Sequence, residues 1–125
     1  MMDARPHMTL SGIVLDSEDP QQLAAFYQRL LGWAVVQDEP GWIKLGAPDG
    51  GPGLSFQEEE GYVRPVWPAG PGDPQMKVHL DIRVEDLEQA CAYAEKVGAK
   101  MAEFQPQDDV RVLLDPAGHP FCLSL

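Results

Sequence analysis

The stretch KVHLDIRVEDLEQACAYAEKVG, residues 77–98, reads as a strand running into a capped helix, and the same unit occurs earlier in the chain. Apolar residues alternate through Val78, Leu80, Ile82 and Val84, which sets His79, Asp81 and Arg83 together on the opposite face of an extended segment. Asp86 follows as a helix N-cap with Gln89 three residues on. Leu87, Ala90, Cys91, Ala94 and Val97 then recur at helical spacing as far as Gly98. Upstream, Leu10 to Leu15 alternates in the same way and Asp19 caps a helix with Pro20 at its first position. Leu23, Phe26, Tyr27 and Leu30 form that helix's apolar stripe before Gly32. Asp86 lies 67 residues beyond Asp19 (86 minus 19), and Gly118 lies 67 beyond Gly51 (118 minus 51). A duplication of this kind restricts the fold sharply, because both copies must bury the same faces.

After each helix the pattern changes from helical spacing to short strands. Trp33–Gln37, Trp42–Gly46 and Leu54–Gln57 follow the first helix; Ala99–Phe104, Asp109–Leu114 and Phe121–Leu125 follow the second. Asp115-Pro116-Ala117-Gly118 carries the residue preferences of a type I turn, so the last two strands form a hairpin. The expected fold is α+β: two tandem βαβββ modules forming a curved, cup-shaped mixed sheet with helices on the outer face. Residues 1–9 are expected to be a tail and 10–125 a single domain, with module one at 10–58, a linker at 59–76 and module two at 77–125. The linker holds Pro65, Pro68, Pro71 and Pro74 with Gly61, Gly70 and Gly72, which suits neither helix nor sheet. Loops this long are functional or mobile in compact domains, so Tyr62, Arg64 and Trp67 either form a lid or, equally, Trp67 pins the linker to the outer surface.

Charge and cysteine content narrow the function. A formal net charge of -11 repels nucleic acid and anionic lipid, and the nine Lys and Arg do not gather into a stripe. The chain start lacks a signal-like apolar run, and no stretch approaches the ~20 apolar residues of a membrane span. Cys91 and Cys122 have no zinc-like spacing and make no disulfide framework, which reads as a reduced, cytoplasmic protein.

If the oily face of each sheet packs under its helix, alternation gives the residues sharing the face of His79. The first module contributes Gly12, Val14, Trp42, Lys44, Ser55 and Gln57. The second contributes His79, Asp81, Arg83, Asp109, Arg111, Leu113, Cys122 and Ser124. A solvated sheet face is also polar, but an indole, a thiol and an imidazole together point to a pocket.

The doubled module, with DPQQLAAFYQRLLGW in the first half and HLDIRVEDLEQACAYAEKVGA then DPAGHPFCL in the second, resembles the glyoxalase/bleomycin-resistance/dioxygenase superfamily, the vicinal oxygen chelate fold. The likeness covers residues 10–125 and is nearest to its small glyoxalase-like subfamily. It implies the cup-shaped fold, and it spans isomerases, ring-cleaving dioxygenases, fosfomycin-modifying transferases and drug-binding proteins. Metal-dependent members draw ligands from the first and last strand of each module. Those places here are Gly12, Ser55, His79 and Cys122, where the resemblance implies His or Glu at the first and a carboxylate at the last.

Glycine cannot ligate, and His79 with Cys122 falls short of the three protein ligands a catalytic zinc or iron site needs, Gln57 and Asp81 being poor fillers. His79 is either a general acid or base or a histidine hydrogen-bonded to Asp81. Cys122 is either a nucleophile whose pKa His79 lowers or a small hydrophobe. The expected function is binding of a small organic molecule with no metal cofactor, by Trp42, Lys44, Ser55, Gln57, His79, Asp81, Arg111 and Cys122, with Trp67 above them. The alternatives are a divalent-metal lyase or isomerase, with the metal on His79, and metal-free catalysis by His79. A homodimer is expected, since open four-stranded sheets leave edges that pairing covers.

Overall fold

A computed structural model describes residues 5–125; the part of the tail at 1–4 lies outside the described residues. The chain folds as β1 (Gly12–Ser17), α1 (Pro20–Leu31), β2 (Ala34–Glu39), β3 (Trp42–Gly46) and β4 (Gly53–Glu58). After the linker come β5 (Leu80–Arg83), α2 (Leu87–Lys96), β6 (Lys100–Met101), β7 (Val110–Leu114) and β8 (Pro120–Ser124). This is the doubled strand–helix–three-strand order that the repeat predicts. His79 stands one residue ahead of its strand, and the predicted strand at 99–104 shrinks to two residues, because Gln105 folds back to bond Ala102 O and both backbone groups of Val112.

The helices begin where their caps dictate. Asp19 Oδ1 accepts from Gln22 N at 3.1 Å and Asp86 Oδ1 accepts from Gln89 N at 2.9 Å, each satisfying an amide that has no partner within its helix. Gly32 ends α1 in the left-handed region at φ 73, where a side chain would be strained.

Each module makes a four-stranded mixed sheet, in the orders β1-β4-β3-β2 and β5-β8-β7-β6, open rather than closed into a barrel. The first and last strands of each module pair in parallel, and the registers repeat. Ile13 lies opposite Leu54 and Leu80 opposite Phe121; Val14 lies opposite Ser55 and Asp81 opposite Cys122. Each second pair sits 67 residues beyond the first, so the spacing of the sequence is also the spacing of the ladder.

One helix covers one face of each sheet, and a single buried cluster runs through both modules. Leu15, Ile43, Leu45, Leu54 and Phe56 lie beneath α1; Leu113, Phe121 and Leu123 face the helix side of the second sheet. The modules meet through aromatic rings. Phe26 lies 5.9 Å from Phe121 and edge-on to Tyr27 at 4.9 Å, and Tyr27 stacks on Phe56 at 5.6 Å. Among the described residues no helix is long and apolar enough to cross a membrane.

Candidate functional site

The helix-free face of the first sheet is built by the β1–β4–β3 ladder. Directly opposite residues share a face, so Trp42, Gln57 and Asp16 form one row, and Lys44, Ser55 and Val14 the next. Ile43 and Leu45 point under the helix, which turns Trp42 and Lys44 outward. Trp42 Nε1 donates to Gln37 Oε1 at 3.1 Å, tethering the indole to the neighbouring strand. Ser55 is only 2% exposed, so a molecule arriving on this face meets Lys44 and Val14 before it. The stem of Lys44 lies across the two glycines of the next row: a Cβ built on Gly12 stands 4.0 Å from Lys44 Cε, and one on Gly53 stands 3.1 Å from it.

On the second sheet, His79, Asp81 and Cys122 gather on one face. His79 Nε2 lies 3.2 Å from Asp81 Oδ1, and one donor atom from each of the three lies within 4.8 Å of the others. His79 and Asp81 are exposed and Cys122 is half-buried. Burial first, and then the Asp81 carboxylate as charge and as hydrogen-bond acceptor, push the Cys122 thiol up from its ordinary value. The shift runs opposite to the lowering expected from His79: burial leads it, and Asp81, the residue directly opposite on β5, adds to it.

Arg111 is not on this face. Leu45 pairs with Leu54 across residues 46–53, whereas Leu113 pairs with Phe121 across 114–120, one residue fewer. That deletion shifts β7 by one place, and a one-residue shift moves every side chain to the other side of a sheet. Val110 and Val112 stand opposite Ser124 and Cys122, while Arg111 stands opposite Leu123 on the helix side. There Arg111 Nη1 donates to the carbonyls of Gln107 and Asp108, and the side chain lines a hollow with Cys91 and Met101. Leu113 is fully buried on that same side, and Asp109 precedes the strand.

Trp67 packs against Phe104 of the second module with ring centroids 5.9 Å apart. The linker is fastened to the β7–β8 hairpin by its other two singled-out residues. Tyr62 Oη donates to Ala117 O at 2.9 Å and lies 3.2 Å from His119 Nε2, and Arg64 Nη1 donates to Pro116 O at 2.8 Å. Gly118 allows this approach. Its φ is +93, and a Cβ there would collide with the Arg64 side chain.

Behind Tyr62 runs a polar chain that the pattern of the sequence did not expose. His119 Nδ1 lies 2.8 Å from Asp115 Oδ2, which also accepts from Tyr27 Oη at 2.8 Å, while Asp115 Oδ1 accepts from the backbone amides of Ala117 and His119. Asp115 is 1% exposed. Burial and then Asp115 raise Tyr27 well above the ordinary phenol value, and the same two causes push Tyr62 up to about 12. The one available signal was an Asp-initiated turn ending in Gly-His, with a tyrosine inside an otherwise apolar helix stripe.

Comparison with known proteins supplies the context. The sequence matches the model of the glyoxalase-like domain over residues 12–124. No curated protein matches it. Among solved structures, the fold is similar to a glyoxalase/bleomycin resistance protein/dioxygenase family enzyme from Burkholderia phytofirmans PsJN (TM-score 0.72, 19% identity, covering 93% of this chain and 97% of that one). It is similar as well to the fosfomycin resistance protein FosX from Mesorhizobium loti (TM-score 0.69, 12% identity, 95% and 92% covered). A glyoxalase family protein from Enterococcus faecalis gives a TM-score of 0.64 at 24% identity, with 91% and 94% covered. At such identities the likeness is one of fold.

Proposed function

Because the chain belongs to the glyoxalase-like domain family, we propose that it binds a small organic molecule on the helix-free faces of its sheets, without a resident metal ion. The observation that carries this reading is the row of Trp42 beside Gln57 with Lys44 in the row below: an apolar ring, an amide and an ammonium within one ladder. The indole supplies a flat surface for stacking, and the ammonium meets an acidic or polar group on the ligand. His79, Asp81 and Cys122 supply hydrogen-bonding groups from the second sheet.

The metal-free half of the proposal rests on what fills the places a metal would use. Gly12 offers no donor, and the stem of Lys44 lies over it, bringing a positive charge toward the place of a first ligand. Ser55 is a buried neutral hydroxyl. The inherited set of four does not suit a cation. We also propose a homodimer in a reduced, cytoplasmic setting; both cysteines are free thiols, and every residue of β2 is exposed along one sheet edge.

A thermal-shift screen of small organic acids and polar aromatics tests the binding, with tryptophan fluorescence of the wild type and of Trp42→Phe as second readout. A hit should change the wild-type emission and leave Trp42→Phe unresponsive. A hit that leaves both equally unchanged removes the first-sheet face as the site.

A second reading is favoured by one observation. His79, Asp81 and Cys122 bring nitrogen, oxygen and sulfur donors within 4.8 Å, a set that would hold a zinc-like ion with one position open. Titration with zinc decides between the readings. A flat melting curve supports the metal-free one; a rise of several degrees, corresponding to about 2.7 kcal/mol at a hundredfold excess over Kd and lost in His79→Ala, establishes the other.

A further inference from the structure

Beneath the linker, along the β1 edge of the first sheet, lies a cavity of ≈ 180 Å³. Val14 of β1, Val63 and Pro65 of the linker and Val78 just ahead of β5 form its apolar walls; Asp16, Tyr62, Gln75, Lys77 and His119 are its polar groups. At roughly 30 Å³ of liquid per water molecule, the space corresponds to about six waters, enough for a single small ring with a one-carbon substituent.

Asp16 is half-buried and makes no ion pair or side-chain hydrogen bond among the described residues. A carboxylate set among apolar walls without a partner favours a cation that brings its own charge. Lys77 also lines the cavity, but it is exposed and forms no ion pair with Asp16. Tyr62 adds a further acceptor, since its hydroxyl hydrogen goes to Ala117 O and its oxygen keeps lone-pair capacity. The linker wall is already fastened by Tyr62 and Arg64 to the β7–β8 hairpin, so little ordering remains to oppose binding. The chain's net charge of -11 raises the concentration of cations around it.

We propose that this cavity binds a small organic ammonium ion, with the charged nitrogen on the Asp16 carboxylate and the carbon skeleton against Val14, Val63 and Val78. The site adjoins the face proposed above, with Val14 beside Ser55 and Asp16 beside Gln57, but its lining includes none of Trp42, Lys44, Gln57, His79 or Cys122.

Three isosteric probes test it on the full chain by NMR shift mapping: benzylamine as the cation, benzyl alcohol as the neutral form and benzoate as the anion. Benzylammonium should perturb residues 14–16, 62–65 and 75–78 at millimolar concentration. The other two should bind about tenfold more weakly, and Asp16→Asn should weaken the amine by about tenfold. Asp16→Asn keeps the shape and breaks no recorded protein contact, and a melting curve checks that it folds. Val63→Trp, at a position 66% exposed, is the second variant and should block the cavity. Benzoate binding as tightly as the amine, an unaffected Asp16→Asn, perturbations confined to other surfaces, or no binding at millimolar amine would each overturn the proposal.

Discussion

Tyr27, on the helix of the first module, donates its phenolic hydrogen to Asp115, in the last hairpin of the second, across 2.8 Å and 88 residues of chain. The carboxylate at the other end also receives the amides of Ala117 and His119 and faces the His119 ring. It is therefore a buried carboxyl group with its acceptor capacity used, and a joint between the modules.

Tyr27→Phe removes one donor from that joint while keeping the stacked ring. A buried acceptor left short costs about 1–3 kcal/mol, and at this chain length each kcal/mol lowers Tm by roughly 3–6 °C. Calorimetry or denaturant unfolding measures it. An unchanged Tm means that Asp115 does not depend on the phenol.

Alkaline pH should unfasten the linker. The Tyr62 phenol titrates higher in the folded chain, at about 12, than the value near 10 of an unfolded tyrosine, and Tyr27 is raised as well. Stability from the neutral phenols is therefore fully present below about pH 10 and is lost as pH rises through the folded values. Denaturant midpoints should fall across that window, with a shallower slope in Tyr62→Phe. A slope identical in the variant would assign the loss to other groups.

Cys122 should be a slow nucleophile at neutral pH. Its raised pKa keeps the sulfur protonated, so alkylation lags behind that of an unstructured peptide cysteine, and Asp81→Asn, which removes a cause of the shift, speeds it up. Cys122→Ser attributes the signal against Cys91. Alkylation of the native protein as fast as the free peptide would contradict the placement of Asp81 beside the thiol.

Arg111 and Lys44 should separate in their effects. Lys44→Ala weakens any ligand of the first-sheet face and changes Tm little, whereas Arg111→Ala leaves that ligand alone and loosens the 107–110 turn that the guanidinium holds. Equal weakening of the ligand by both variants would return Arg111 to the binding face.

Light scattering at tens of micromolar should report two chains. Val36, 58% exposed at the bulge of β2, marks an open apolar edge that pairing would cover. A Val36→Lys variant should shift the protein toward monomer; a wild-type monomer removes the idea.

Local rules determined most of the architecture before any coordinate. Asp19 and Asp86 cap their helices because a short carboxylate satisfies an amide three residues on, and that contact needs nothing distant. The 67-residue repeat became the register of both parallel strand pairs, because strands bury one face and their period is two. What the chain could not express locally was the one-residue shortening of the second hairpin, which leaves the alternation of β7 intact and only changes which residue stands opposite Cys122. Arg111 moved to the helix side for that reason alone. Tyr27, Asp115, His119 and Tyr62 are likewise ordinary residues in sequence. Their hydrogen-bonded chain exists only because packing α1 on the aromatic core and tying the linker to the last hairpin bring groups from three distant segments within hydrogen-bonding reach.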